Sequence, residues 1–245
     1  MGARSRLLTS LTLVLLRPQQ LSWLDIVRRL DETLVGSLFL VTATVACVGA
    51  AMCDQAAAQA LRFVGDQSFI GPEYIVLGFE EFGPLVVAIT LSARIGAGFA
   101  AEVATLTSEQ TLDALELFSL RPVETRLAPM GLALVAGGVC LGLVSAVTWE
   151  LSGMLTMWLR YGMNPFTFFH PEAIQVHSLV LLVVKCACMS GAIFIASLHA
   201  GLSARGGAEE VGDATTRAGV QSFLWVLTTN FTLDLAWWFF VRGPS

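Results

Sequence analysis

The chain has 245 residues with a formal net charge of −5; 55% of the residues are hydrophobic, only 13% are charged, and the mean hydropathy is +0.71. Ordinary soluble domains carry about 25% charged residues, so this composition argues against a soluble domain and indicates an integral membrane protein. The basic residues form no tract and are not interleaved with aromatic residues, which leaves nucleic-acid binding without support.

The segment from Leu21 to Leu34 has the pattern of an amphipathic helix. Its apolar and charged residues alternate with helical period, which is typical of a helix that lies in the membrane interface. The apolar face comprises Trp23, Ile26, Val27, Leu30 and Leu34, and the polar face Asp25, Arg28, Arg29 and Glu32. We therefore predict an N-terminal cytoplasmic or interfacial segment over residues 1–34.

About five apolar runs follow, each long enough to cross a bilayer core of roughly 30 Å. They are Val35–Gly49 (continuing towards Val64), Tyr74–Ala101, Ala128–Val147, Val176–His199 and Val220–Val241. The sequence predicts an all-α protein in which residues 35–241 form a transmembrane bundle, with residues 1–245 as a single domain.

The distribution of Arg residues between the connections predicts the orientation. Cytoplasmic connections carry an excess of Lys and Arg, and a cytoplasmic N-terminus gives nine inner Arg against three outer. The inner ones are Arg4, Arg6, Arg17, Arg28, Arg29, Arg121, Arg126, Arg205 and Arg217; the outer ones are Arg62, Arg160 and Arg242. We expect the N-terminus inside and the C-terminus outside.

The inner connection from Ala104 to Pro122 predicts a short cytoplasmic helix. Thr107 and Gln110 match a capping box, and Pro122 ends the pattern. Its apolar stripe is Leu112, Leu115 and Phe118, and its acidic stripe is Glu109, Asp113 and Glu116. Such a helix lying between two spans indicates a docking element for another protein.

The sequence contains no motif for nucleotide hydrolysis and no convincing motif for another catalytic activity. A P-loop requires a Lys in G-x-x-x-x-G-K-[ST], and the one Lys, Lys185, is followed by Cys186. An intramembrane Ser hydrolase is the competing class, but Ser203 in GLSAR lacks the last Gly of the nucleophile elbow. The three His have no metal-ligand spacing, so we predict no metal and no cofactor on this chain.

Ionisable residues inside the spans are the candidates for function, because each is costly in lipid unless paired or hydrated. Arg94 and Glu102 are two helical turns apart in the second span. Lys185 and Asp234 lie at similar depths from the outer ends of the fourth and fifth spans. We predict an intramembrane Lys185–Asp234 ion pair.

Three segments resemble the signatures of MlaE-type (YrbE-type) permeases. The first is FGPLVVAITLSARIGAGFAAEVATLTSEQTLDALELFSLRPVETRLAP (Phe82–Pro129), the second is ARGGAEEVGDATTRAGV (Ala204–Val220), and the third is Val48-Gly49 followed by Gln55. The resemblance extends from about Leu21 to the C-terminus. The chain departs from it at Asn230, where many relatives are acidic, and at Asp54, where relatives tend to be apolar.

The resemblance implies a homodimeric permease in the bacterial inner membrane that moves phospholipids or related hydrophobic molecules between inner and outer membranes. Its implied partners are a cytoplasmic ABC ATPase, which binds ATP, and a periplasmic MCE-domain protein. Gln55 and Glu102 match positions near the family's translocation path, and we add Arg94 to this candidate substrate path. The helix from Thr107 to Leu120 then corresponds to the coupling helix. Uptake of sterols or other hydrophobic compounds through an Mce system is the alternative.

Overall fold

A computed structural model of the protein describes residues 23–67, 69–112, 127–204 and 206–239, together with Leu117. The helices are α1 (Trp23–Phe63), α2 (Ile70–Ser108), α3 (Ala128–Tyr161), α4 (Pro165–Phe168), α5 (Val176–Gly201) and α6 (Ala208–Trp237), with a 3-10 turn at Pro171–Ala173. These described ranges contain helices and no strand, which confirms the predicted all-α class.

The N-terminal amphipathic segment and the first span are one continuous helix, α1, of 41 residues. The predicted end of the interfacial helix at Leu34 is therefore wrong, because the helix continues into the first span. The hydrophobic pattern changes near Val35, but no helix-stop signal accompanies the change, since Gly36 alone is tolerated within a helix. α1 ends where Gly65 adopts φ +77° and its N–H bonds to the carbonyl of Ala60, the usual glycine termination of a helix.

α2 contains two π-helical segments, Gly78–Phe82 and Ser92–Gly96. In the first, the N–H of Gly83 bonds to the carbonyl five residues earlier. Pro84 follows and has no N–H, so the carbonyl of Glu80, four residues before it, lacks its α-helical donor. π-bulges are frequent at functional sites, and both segments contain ionisable residues.

The predicted start of the cytoplasmic helix at Thr107 is wrong, because α2 itself runs through Ser108. The Thr107 hydroxyl donates to the carbonyl of Val103 at 2.8 Å, as in a helix interior, so it does not cap a new helix. A turn follows in which Gln110 has φ +55°, and helical geometry resumes at residues 111–112.

Two other boundaries differ from the sequence prediction. α3 continues past Val147 to Tyr161, because the polar residues there, Thr148 and Glu150 among them, do not break a helix. α6 begins at Ala208, inside the stretch predicted as a polar connection. Its first turn is closed by Glu210, whose carboxylate accepts from the N–H of Gly206 at 2.7 Å, and acidic residues are favoured at helix starts.

Four of the described helices, α1, α2, α3 and α5, are long and apolar enough to span a membrane. α6 has 30 residues, but its apolar positions are interrupted by Gln221, Thr228, Thr229, Asn230, Thr232 and Asp234. The predicted fifth span, Val220–Val241, overlaps the second half of α6, and its membrane crossing stays a prediction.

By internal contacts the chain divides into two units. Unit 1 comprises residues 1–37, 91–137 and 188–245, and unit 2 comprises residues 38–90 and 138–187. In unit 1, small residues allow α2, α5 and α6 to pack closely, as membrane helices commonly do. The buried alanine clusters are Ala100 with Ala200 and Ala218, and Ala104 with Ala204 and Ala214.

Unit 2 has its own core, formed by α2, α3 and α5. Its buried residues are Ile75, Phe79, Ala146, Leu182 and Cys186. Beside them, the rings of Tyr74 and Phe82 stack on Trp149, with centroids 5.0 and 5.5 Å away. This packing holds the first π-helical segment of α2 against α3.

Candidate functional site

An ion pair between α1 and α2 is the main polar contact of unit 1. Both guanidinium nitrogens of Arg29 donate to the carboxylate of Glu102, at 2.7 and 2.5 Å. Both side chains are partly buried, and this two-bond geometry is the strongest form of the Arg–carboxylate contact. Sequence analysis singled out Glu102 but placed Arg29 on the polar face of an interfacial helix. Because an unpaired acid in a span is costly, Glu102 requires a basic partner, and this requirement could have led to Arg29.

Arg94, in the second π-helical segment, faces α1 within the same unit. Its guanidinium lies against Gly36, where a Cβ would be 2.6 Å from Nη2 and would displace the end of the Arg94 side chain. Within the described part of the chain, the side chain of Arg94 forms no ion pair or hydrogen bond.

 Arg94 precedes Ser108, the last residue of α2, by about four helical turns.

A small cavity of about 160 Å³ lies between α1 and α2 in unit 1. It is lined by Arg29, Glu32, Thr33, Arg94, Ile95 and Phe99. Of its two guanidinium groups, that of Arg29 is engaged by Glu102, whereas that of Arg94 keeps its donors available. Because a guanidinium matches the geometry of a phosphate or carboxylate, the cavity can accept an anionic group.

The buried cation of unit 2 is Lys185 on α5, which is fully shielded from solvent. Its ammonium group donates to the carbonyl of Glu80 at 2.6 Å and lies 3.0 Å from the carboxylate of Glu81. The Glu80 carbonyl is the one that Pro84 deprives of its helical donor, so the π-helical segment supplies the acceptor that the Lys requires. The tertiary contact with Lys185 thus satisfies a carbonyl that the local sequence leaves without its helical donor.

Glu80 carries a second polar contact in unit 2. Its carboxylate accepts a hydrogen bond from Ser178 at 2.7 Å and lies 3.3 Å from Nε2 of His177. Together with Lys185 and Glu81, these residues form a polar cluster between α2 and the first three turns of α5. Neither Glu80 nor Glu81 was a candidate from sequence, because both precede the motif that drew attention to α2.

The predicted Lys185–Asp234 ion pair stays a prediction, since the structure gives each residue a neighbour that the sequence argument did not consider. Lys185 contacts Glu81, as described above. Asp234 accepts a hydrogen bond from the side-chain amide of Asn230 at 2.9 Å, one turn earlier on α6. The departure at Asn230 is thus coupled to an acidic residue four positions away.

The remaining candidate residues are placed as follows. Gln55 is exposed on α1 in unit 2. Of the predicted coupling helix, Glu109 is exposed in the turn after α2 and Leu112 is buried within the chain, so Leu112 is not free for docking in this structure. Asp113, Leu115, Glu116 and Phe118 lie outside the described residues. No three metal-ligating side chains come together in the described ranges.

Sequence analysis also missed a buried acid in α3, because it ended the third span at Val147. Glu150 is only 6% exposed, and neither of its carboxylate oxygens has a hydrogen-bond partner in the part of the chain that the structure describes. An unpartnered buried carboxyl is costly, so Glu150 is either a liability of the isolated chain or a group that awaits a partner.

Four long apolar helices with polar clusters between them indicate a multi-pass membrane protein. Residues 26–236 match the family Permease MlaE, and the chain therefore belongs to that family. This confirms the resemblance seen in the sequence.

The chain is similar to bacterial proteins and to a chloroplast protein. The chain is 27% identical to a "Probable ABC transporter permease protein" of Rickettsia typhi, over 80% of this chain and 76% of the relative. It is 26% identical to a protein of the same description from Synechocystis, over 85% and 79% of the two chains. It is also 26% identical to "Protein TRIGALACTOSYLDIACYLGLYCEROL 1, chloroplastic" of Arabidopsis thaliana, over 92% of this chain and 64% of that protein.

The family and these names make the chain a permease subunit of an ABC transporter rather than an enzyme. An ABC transporter draws on ATP hydrolysis, so an ATPase partner is implied. The absence of a P-loop sequence in this chain agrees with that division of labour.

Proposed function

We propose that this chain supplies the membrane path of an ATP-driven transporter that moves phospholipids or related hydrophobic molecules between inner and outer membranes. The observation that carries the proposal is the cation of the unit 1 cavity. The side chain of Arg94 has neither an ion pair nor a hydrogen bond in the described part of the chain, although it lies within a candidate span. A lipid phosphate supplies the missing anion, and it brings an apolar body that suits the surrounding helices.

The proposal includes the assembly in which the chain works. We infer a homodimer in the bacterial inner membrane, with a cytoplasmic ATPase that binds the ATP and a periplasmic MCE-domain protein. This chain carries no cofactor of its own. The N-terminus is cytoplasmic and the C-terminus periplasmic, as the distribution of Arg residues favours. The name of the chloroplast relative includes the name of a glycerolipid, trigalactosyldiacylglycerol, and this supports a lipid substrate.

Sterol uptake is the alternative, and the charged residues favour the phospholipid. A sterol offers one hydroxyl group, which cannot neutralise the Arg94 guanidinium. The cost of an uncompensated charge in a membrane is a few kcal/mol at least. A substrate that carries a phosphate removes this cost when it binds.

The test is transfer of labelled lipid by the chain reconstituted with its ATPase in vesicles. We expect ATP-dependent transfer of a fluorescent phospholipid and none of a labelled sterol. Arg94→Gln should lower phospholipid transfer about tenfold, equivalent to ~1.4 kcal/mol, whereas Arg94→Lys should retain part of it. Arg28→Gln is the matched control, because Arg28 is exposed on α1 and forms only a 3.7 Å contact with Glu32.

Three results would contradict the proposal. Equal transfer of phospholipid by the Arg94→Gln protein and the unsubstituted protein would remove Arg94 from the path. ATP-dependent transfer of the sterol alone would assign the substrate to the other class. ATP hydrolysis by the purified chain without its partner would overturn the division of labour.

A further inference from the structure

Unit 2 contains a second, larger apolar groove, between α1 and α3. It has a volume of about 580 Å³, within the range of small-molecule binding sites. Alanines of α1 and leucines of α3 form its walls, among them Ala46, Ala50, Leu151 and Leu155. Leu151 and Leu155 are more than half exposed, so the groove opens on the surface of this unit.

One end of the groove is charged. Nη1 of Arg160 donates to one carboxylate oxygen of Asp54 at 2.8 Å, and the hydroxyl of Tyr161 donates to the other at 3.0 Å. Asp54 is therefore engaged on both oxygens. Arg160 carries five N–H donors, and in the described part of the chain only the donor to Asp54 is used.

The length of the groove selects its occupant. From Thr148 to Arg160, the groove follows α3 for about 18 Å at 1.5 Å per residue. This is close to half of the ~30 Å bilayer core, which is the depth that the acyl chain of one leaflet occupies. A membrane-spanning helix of a partner would need a groove along the whole core.

We propose that this groove binds one acyl chain of a membrane phospholipid, whose phosphate group accepts hydrogen bonds from the remaining donors of Arg160. Asp54 acts as the positioning residue, because its two bonds hold Arg160 and Tyr161 at the mouth. The site shares no lining residue with the unit 1 cavity, and it binds lipid whether or not the protein transports phospholipids.

A photoactivatable phospholipid tests the site directly. Phosphatidylglycerol with a diazirine in its acyl chain is incorporated into nanodiscs that contain the full chain, without ATP or ATPase, and the cross-linked peptides are identified by mass spectrometry. We expect adducts concentrated on residues 46–54 and 148–160. Unlabelled phosphatidylglycerol should compete about fivefold better than diacylglycerol with the same chains, because only the former has a phosphate.

Substitutions test the charged end of the groove and its apolar part separately. Arg160→Gln should lower the adducts about fivefold, whereas Arg160→Lys should keep most of them. Ala50→Leu fills the groove and should abolish the adducts even though Arg160 is unchanged. Arg62→Gln is the matched control, because Arg62 is an exposed basic residue in the last turn of the same helix, α1.

Three outcomes would overturn the proposal. Adducts spread evenly over all exposed helices would indicate only the surrounding bilayer. Equal competition by diacylglycerol would remove the phosphate contact. Cross-links from the groove to a second copy of the chain or to a partner helix, in place of lipid, would assign the groove to a protein interface. The binding readout uses no transport, so its failure leaves the proposed function to its own test.

Discussion

The guanidinium of Arg29 and the carboxylate of Glu102 form a two-bond ion pair, although the residues are 73 positions apart in the chain. The pair joins α1 to α2 inside unit 1 and fixes one wall of the cavity that contains Arg94. It ties the N-terminal amphipathic part of α1 to the motif that identifies the family.

The first prediction concerns this pair. Arg29→Gln and Glu102→Gln should each lower the free energy of unfolding by about 1–2 kcal/mol, between the values for exposed and buried pairs. The exchange Arg29→Glu with Glu102→Arg should recover part of the loss. Thermal unfolding of the purified chain in detergent measures these changes in stability. Arg28→Gln is the control and should change stability little. A loss as large for Arg28→Gln would show that the effect is not specific to the pair.

The second prediction decides between two partners for Lys185. We expect a double-mutant cycle of Lys185→Met and Glu81→Leu to give a coupling energy above ~1 kcal/mol, because the two charges are 3.0 Å apart and Lys185 is buried. The parallel cycle with Asp234→Leu tests the pair predicted from sequence. Coupling below about 0.5 kcal/mol in the Glu81 cycle would refute the contact with Glu81.

The third prediction concerns the packing of Trp149 against α2. A Cβ on Gly78 would lie 2.2 Å from the indole ring, which the stacked rings of Tyr74 and Phe82 prevent from moving away. Gly78→Ala should therefore destabilise the protein by about 1–3 kcal/mol. Gly219→Ala is the control, since nothing lies within 4 Å of a Cβ there, and it should be neutral or slightly stabilising. Equal unfolding temperatures for the two variants would contradict this account.

The fourth prediction concerns the unpartnered acid Glu150. Glu150→Met removes a buried carboxyl without hydrogen bonds and keeps a similar volume, so the free energy of unfolding should rise by about 1–3 kcal/mol. Glu172→Met, at an exposed position, is the control and should leave stability nearly unchanged. A destabilised Glu150→Met protein would mean that a subunit, lipid or water satisfies the carboxyl in the membrane.

The sequence by itself determined the class of this protein. The apolar runs fix an all-α membrane fold because only helices satisfy the backbone of such segments in lipid. The motif from Phe82 to Pro129 indicated the family, whose model matches residues 26–236. These features are local, so they can be read from neighbouring residues.

The tertiary structure alone decided which ionisable residues meet. Arg29 joins Glu102, and Lys185 joins the π-helical segment at Glu80 and Glu81, over separations of 73 and 105 positions. Helical periodicity assigns a residue to a face, but the neighbouring helix and its rotation depend on side-chain packing across the whole unit. The same limit explains why α1 was divided and α3 shortened in the prediction: hydropathy marks where the chain is apolar, whereas a helix ends only where its backbone bonds are capped or broken, as at Gly65 and Gly162.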